Sequence, residues 1–564
     1  MKKPIYILGT GLSHNGSAVL LKNGRVCVAI EKERISRVKH DGGNDTLAIE
    51  YCLKAEGIEL DDIELVVQCA NFDIPSRDSF SGQRPFAFSK LPKIVDISHH
   101  LAHAYSAVGT SPFSSCAVMV IDGCGSPLSQ FLTMRPEQKE YVDSHYLDMN
   151  EMICEKDSFY HFDGQKLTPL LKDFSQMAGV DQLSRSGPTT QHSIGGFYAS
   201  VSRYVFGNMD DVGKLMGLAP FGTLGVIDAE AFEFIDGKLY QKKDWKSDFA
   251  RPSTGYEYFK NDFAYYANVA RWAQDQVEKA VQTCIENRLE QFPHTQLCYT
   301  GGVALNAVAN AKLLENGVVD ELYLEPAAGD NGLALGCAYY GWLEYLKMPH
   351  VVHDGSTCFG KSYADEIAEC VEKLDSQKFK STQYSEDDEL MEFCAEQLNA
   401  GKTIAWFQSG SEFGPRSLGR RSILAHPGIP HLKNHINGNI KFREDFRPFA
   451  PAVLKEYAQE YFVSGRPSPY MILVDKTKPE YLEQLSNVTH VDGTARVQTV
   501  DSTWNARFAR LIKAFHKKSG LAVVLNTSMN RKGMPMVETP EHAIALFEET
   551  ALDVLVLENT VIEK

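Results

Sequence analysis

Short apolar runs that end at glycine-rich turns alternate along this chain with stretches of helical spacing. Ile5-Tyr6-Ile7-Leu8 runs into Gly9-Thr10-Gly11, which predicts a strand and then a turn. A second strand is predicted over residues 17–21 and a third over 25–30, joined by Asn23-Gly24, a strong hairpin signal. The same strand-then-glycine pattern recurs in CAVMVIDGCG (residues 116–125). It recurs again in QLCYTGGVALN (296–306), where a strand turns into a helix. Ala273, Val277, Ala280 and Cys284 mark one face of a long helix predicted over 265–289. Strands alternating with helices predict a mixed α/β domain.

Residues 348–386 break this rhythm. They hold a predicted helix over 363–374 within polar, non-periodic sequence, and read as a connector. A new α/β segment begins with a helix over 390–398 and a strand over 403–407. It ends in the apolar strand at 554–557. A domain boundary is therefore expected near 360–385, giving domains over 1–360 and 385–564. No repeat at solenoid spacing and no low-complexity tract is present.

Composition narrows the class. The chain has 564 residues, of which 43% are hydrophobic and 23% charged, as in an ordinary globular protein. Its 57 basic and 73 acidic residues give a formal charge of −16, which disfavours a nucleic-acid partner. The twelve cysteines are scattered and none forms C-x-x-C, which fits a reducing cytoplasm rather than a zinc ribbon or disulfide scaffold. The first apolar run is too short for a signal peptide, and no run is long enough to span a membrane. A cytoplasmic protein with no membrane partner is expected, and a homodimer is compatible with this.

Three histidines fall within five residues in Ser98-His99-His100-Leu101-Ala102-His103. On a helix, His99 and His103 share a face at i, i+4, as do His100 and His103 at i, i+3; such pairs converge on metal ions. The alternative is a helix with satisfied or exposed histidines. Asp122, after VMVI, and Asp330, in AAGDNG before an apolar helix, are candidate partners, although Asp330 could equally serve as an N-cap. Two imidazoles with carboxylate leave positions open for a substrate oxygen and suit Fe(II), Mn or Zn.

Gly301-Gly302 and Gly123-Cys124-Gly125 lie where backbone N–H groups can approach a phosphate or sugar. Three glycine turns at strand ends in one domain resemble the arrangement of actin-like ATPases. Gly401-Lys402-Thr403 imitates the end of a P-loop, but a helix precedes it and a strand follows, the reverse of the required order.

In an acidic chain, FGPRSLGRRS (413–422), KFREDFRPF (441–449) and Arg496 form a dense basic set within loop-like sequence. Guanidinium forks bind phosphate oxygens bidentately, so a phosphorylated small molecule fits. Pairing with Glu444 and Asp445 is the alternative. Asn526-Thr527-Ser528-Met529-Asn530, expected just after a strand at 521–525, adds polar groups where α/β proteins gather ligands.

Together these segments resemble the O-carbamoyltransferases of antibiotic and nodulation-factor biosynthesis. The blocks are GTGLSHNGSA, EKERISRVKHDG, SHHLAHA, VIDGCG, GKLMGLAPFG, TGGVALN, EPAAGDNGLALG, FGPRSLGRRSILA, KFREDFRPFAP and LNTSMNRKGMP, spread over nearly the whole chain. The resemblance implies an actin-like N-terminal domain similar to the tRNA threonylcarbamoyl-transfer ATPases, and a C-terminal YrdC-like α/β domain. The C-terminal domain would make carbamoyl adenylate from carbamoyl phosphate and ATP, with Mg. The N-terminal domain would pass the carbamoyl group to a hydroxyl of a small-molecule acceptor beside a bound metal, Fe(II) or another divalent ion. Carried over, His99, His103, Asp122 and Asp330 would hold the metal, leaving His100 out. Lys39, Gly302 and Asn306 would contact the nucleotide or carbamoyl adenylate, and His14 would be the general base. Arg416, Lys441, Arg447, Arg496, Asn526 and Ser528 would line the carbamoyl phosphate and ATP site, with Lys441 neutralising charge during adenylation.

The sequence departs from the family at Asp211-Val212, where a glutamate is common, and at Met529, where phenylalanine is usual. Residues 133–190 lack family blocks and are rich in aromatics and acids; they either shape the acceptor pocket or pack internally. Competing readings are a threonylcarbamoyl transferase acting on tRNA, a hydrogenase-maturation carbamoyltransferase and a non-enzymatic actin-like scaffold. Charge opposes the first, missing cysteine pairs the second, and the basic cluster the third.

Overall fold

The structure is a computed structural model that describes residues 3–13, 15–43, 45–70, 92–135, 137, 139, 153–176, 193–242 and 261–564. The chain divides into two compact units, Met1–Lys32 with Asp41–His353, and Glu33–His40 with Asp354–Lys564.

The first unit contains two five-stranded sheets of one design. Strands β1 (Tyr6–Leu12), β2 (Ser17–Lys22), β3 (Arg25–Glu31), β4 (Ile63–Ala70) and β5 (Lys93–Ile97) lie in the order β3-β2-β1-β4-β5. Strands β6 (Cys116–Ile121), β7 (Ile153–Phe162) and β8 (Leu167–Gln176) join β11 (Gln296–Thr300) and β12 (Glu321–Leu324) in the order β12-β11-β6-β7-β8. A separate hairpin, β9 (Phe232–Ile235) with β10 (Lys238–Gln241), lies between β8 and β11 in sequence. In each five-stranded sheet the first three strands form an antiparallel meander, the fourth pairs parallel with the first, and the fifth pairs parallel with the fourth. This duplicated order is the actin-like ATPase pattern that the glycine turns suggested.

Asn23 and Gly24 both adopt positive φ (51° and 81°), as a two-residue hairpin turn between twisted strands requires. Gly9-Thr10-Gly11 departs from expectation: β1 runs straight through it. Its glycines serve close packing, since a Cβ on Gly9 would lie 2.0 Å from Ala334 O. Ala334 belongs to the helix Leu333–Tyr340, every residue of which is buried; an element covered on all sides is apolar on all sides. Within the aromatic-rich segment, residues 153–176 form the β7–β8 hairpin, whose Phe159, Tyr160 and Phe162 are buried. The predicted long helix is Phe263–Gln291, with Ala273, Val277, Ala280 and Cys284 all buried.

The second unit is built on an eight-stranded mixed sheet. It comprises β13 (Lys380–Gln383), β14 (Ile404–Phe407), β15 (Arg421–Ala425), β16 (Ala450–Leu454), β19 (Gln498–Val500), β20 (Val523–Ser528), β21 (Val554–Leu557) and β22 (Thr560–Glu563). Their order is β13-β22-β21-β14-β15-β20-β16-β19, and β17 (Val474–Lys476) pairs separately with β18 (Thr494–Arg496). Helices Asp387–Asn399 and Ser502–Ser519 pack together and contribute Leu390, Cys394, Phe508 and Phe515 to the core. Asn526, Thr527 and Ser528 lie inside β20 rather than after it, because the strand continues past its apolar run through pairing with Ser422 to Leu424. No helix among the described residues is long and apolar enough to cross a membrane.

Candidate active site

In the first unit, five strand ends supply the candidate metal centre. The helix His99–Thr110 follows β5, Ser13 follows β1, Asp122 follows β6, Gly301-Gly302 follow β11 and Asp330 follows β12. Carboxyl ends of strands are where α/β sheets usually gather ligands. His99 and His103 lie one turn apart with their rings edge-on, their Nε2 atoms 3.1 Å from each other. Asp122 Oδ2 lies 3.0 Å from His99 Nε2 and 3.8 Å from His103 Nε2; Asp330 Oδ1 lies 3.4 and 3.7 Å from the same atoms. All four ligand atoms fall within 4.8 Å of one another.

The carboxylates are aimed by their other oxygens. Asp122 Oδ1 accepts the Gly302 N–H at 2.9 Å, and Asp330 Oδ2 accepts the Ser13 hydroxyl. Asp330 caps no helix: Gly332 is the N-cap residue of Leu333–Tyr340. His100 turns away, its Nδ1 2.8 Å from Ser158 Oγ, and burial pushes its pKa down to about 3. Burial also opposes charge on His99, but Asp330 and Asp122 outweigh it and hold its pKa well above the usual value. Two imidazoles and two carboxylates converging on one point fit a divalent cation, which would match the carboxylate charge and satisfy both Nε2 atoms.

The second unit gathers cations. Lys441 ends a π-helical turn, Ile436–Lys441, and is 2% exposed. Its Nζ donates to Ser528 O and Asn530 Oδ1, both at 2.6 Å, and to Ser528 Oγ at 3.2 Å. These acceptors are neutral, so the ammonium charge is not compensated by them. Burial first, then Arg443, Arg447 and Lys39, push its pKa well below the usual lysine value. Arg416 is pushed down to about 10 by burial and Arg447. Arg496 is lowered by burial and by Arg416, Arg443 and Arg447. The Nε atoms of Arg416 and Arg496 are buried without a hydrogen-bond partner. Glu444 offsets part of this charge, pairing with Arg447 at 3.7 Å and Lys532 at 2.7 Å. Mutually repelling, partly unsatisfied guanidinium groups suit an anionic ligand.

Several candidate residues take supporting roles. Asn306 caps the helix Ala307–Glu315 and exchanges two hydrogen bonds with Gln274, at 3.0 and 3.1 Å. Asn526 donates to Gln498 Oε1 at 2.8 Å and to Ser417 O at 3.2 Å, so it braces the loop carrying Arg416. Lys39 falls in the second unit, among the cations. Arg421 is structural: it donates to Gln408 O and Ser409 O and stacks 3.5 Å over Phe407. Met529 is buried in the core. His14 lies outside the described residues, as do 136, 138, 140–152 and 177–190 of the segment considered for acceptor binding. Arg443 and Asn530 lie in segments that the sequence marks, but no individual role is expected of them there. Arg443 lies over the Phe449 ring at 4.5 Å within the cluster, and Asn530 accepts from both Lys441 and Ser528. Their signal was spacing, Lys-x-Arg and Ser-x-Asn.

Residues 6–75 and 86–339 match the family described as Carbamoyltransferase N-terminus, and 395–564 match Carbamoyltransferase C-terminus. The chain belongs to the carbamoyltransferase family and is an enzyme of that class. It is 30% identical to an uncharacterised protein of Synechocystis, over 99% of this chain and 97% of the relative. It is also 30% identical to the nodulation protein NolNO of Sinorhizobium fredii, over 98% and 79%. Identity to the 3'-hydroxymethylcephem-O-carbamoyltransferase of Amycolatopsis lactamdurans is 26%, over 97% of each chain. Among solved structures, full-length HypF aligns at 14% identity and a TM-score of 0.36, covering 60% of this chain and 56% of that one.

Proposed function

We propose that this protein is an ATP-dependent O-carbamoyltransferase with its two half-reactions in separate units. The second, YrdC-like unit makes carbamoyl adenylate: carbamoyl phosphate, ATP and water give carbamoyl adenylate, pyrophosphate and phosphate. The first unit completes the transfer: carbamoyl adenylate and a small-molecule hydroxyl give a carbamate ester, AMP and a proton. The observation that carries this reading is the cation cluster of Lys39, Arg416, Lys441, Arg443, Arg447 and Arg496, too rich in positive charge to be an internal salt-bridge network. Two phosphorylated substrates would neutralise it. Lys441 is held by neutral acceptors, so its charge is available to the phosphates during adenylation.

In the first unit, His99, His103, Asp122 and Asp330 would hold a divalent metal, Fe(II) or another, which would supply a Lewis acid beside the transfer. The Gly302 N–H and the Ser13 hydroxyl fix the two carboxylates. His14 would take the acceptor proton. The acceptor is read as a hydroxylated small molecule rather than tRNA because the chain carries a charge of −16.

The test uses two variants and two products. Lys441→Ala should abolish carbamoyl-phosphate-dependent pyrophosphate release. His14→Asn should keep that release and lose carbamate ester formation, by about 10²–10⁴-fold if it removes a general base. Equal loss of pyrophosphate release in both variants would replace two centres with one.

A further inference from the structure

The helix that carries the two histidine ligands begins without a cap of its own. Ser98 precedes it, yet its side chain accepts no bond from the first turn. The free N–H groups there are instead taken by residues from the other half of the unit. His99 N–H donates to Ser126 Oγ at 2.9 Å, and His100 N–H donates to Glu155 Oε2 at 3.1 Å. The same Oε2 accepts the Ser126 N–H at 3.0 Å. The Glu155 main chain closes on that turn as well, accepting from Gly125 N–H at 2.9 Å and donating to Ser126 O at 3.0 Å. Gly125 leaves room for this, since a Cβ there would stand 2.6 Å from His100 Cδ2 and 2.7 Å from Glu155 Cβ.

Glu155 is 0% exposed, and its partner Lys172, 2.5 Å away, is 1% exposed. Lys172 also donates to Tyr160 OH at 2.9 Å and lies 4.7 Å over the Phe131 ring. A buried ion pair is a poor source of stability, because desolvating both charges offsets their attraction. Its retention is better explained by where it puts one oxygen. That oxygen faces the positive end of a helix and bridges two segments. One carries His99 and His103; the other, reached at Ser126, lies four residues after Asp122.

We propose that Glu155, held by Lys172, is a positioning residue for the metal centre: it locks the histidine helix to the turn after Asp122. The proposal rests on the metal reading above, and its test separates the two. Two double variants remove both charges. Glu155→Gln with Lys172→Met keeps an acceptor oxygen, whereas Glu155→Leu with Lys172→Met does not. Co(II) serves as the probe, followed by affinity and by its ligand-field absorption. Amide exchange of residues 98–104 is followed in metal-free protein. The Gln/Met variant should bind Co(II) like the parent. The Leu/Met variant should bind about 10–100-fold more weakly, with an altered absorption band and faster exchange in the first turn. Parental exchange in the Leu/Met variant overturns the lock, and parental affinity with an unchanged band overturns its role at the metal. If the Leu/Met variant does not fold, Glu155→Asp, which keeps a charge beside Lys172 but withdraws the oxygen from the His100 and Ser126 N–H groups, is read by the same criteria. If the parent binds no Co(II), the metal reading fails while exchange still decides the lock.

Discussion

His99, His100 and His103 are three identical side chains whose surroundings give them different chemistry. The first and third face Asp122 and Asp330, and the second faces Ser158. His103→Ala should therefore lose bound metal and carbamoyl transfer while the protein stays folded; full occupancy by elemental analysis would sink the assignment. His100→Ala should keep its metal and lose stability instead, by about 2–4 kcal/mol for a buried ring, read as a lowered denaturant midpoint. In the second unit, Lys441 and Arg496 have pKa values lowered by burial and by neighbouring cations. A bound polyanion reverses the repulsion and raises them again. Binding of ATP or carbamoyl phosphate should thus take up protons in the pH range between the lowered pKa values of the free protein and the raised ones of the complex. Calorimetry in buffers of different ionisation enthalpy measures this, and zero uptake at every alkaline pH at which the protein stays folded would contradict it. At this scale the sequence marked the His99–His103 pair, because i, i+4 spacing on a helix is a local property, whereas Asp122 and Asp330 were candidates that only the fold brings beside it. It did not mark Glu155, whose partners His100 and Ser126 are 55 and 29 residues away.

Between elements, the helices His99–Thr110 and Leu333–Tyr340 approach each other closely. A Cβ on Gly336 would stand 1.7 Å from Ala102 O, so the two backbones touch where a side chain would hold them apart. Gly336→Ala should push the histidine helix outward. The expected cost is about 1–3 kcal/mol from overpacking, together with weakened metal binding. Thermal unfolding with and without added metal checks both; an unshifted transition would show that the helices can part freely. Sequence periodicity found the strands and the long helix Phe263–Gln291, since alternation and 3.6-residue spacing are written along the chain. It misread Gly9-Thr10-Gly11 as a turn. Glycine signals only that a side chain is excluded, and whether a bend or a neighbouring helix excludes it is decided by packing.

Over the whole molecule, the charge of −16 opposes the tRNA reading. At physiological salt the protein should show no salt-sensitive binding to tRNA below about 1 µM, since even competent non-specific binders reach only about 10⁻⁴–10⁻⁶ M. Sub-micromolar binding by filter retention would revive the threonylcarbamoyl alternative. The sequence by itself determined the α/β class, the family, the histidine pair and the basic cluster, because each is carried by residue type and short-range spacing. Tertiary structure decided what those residues face. The two sheets of the first unit share one strand order that no sequence repeat announces, because hydrogen-bond order constrains side chains only loosely. That arrangement brings Ser13, His99, Asp122, Gly302 and Asp330 to neighbouring strand ends. Likewise Lys39 joins Lys441 across some four hundred residues of chain. Convergence over such separations follows from chain topology, which local pattern does not encode.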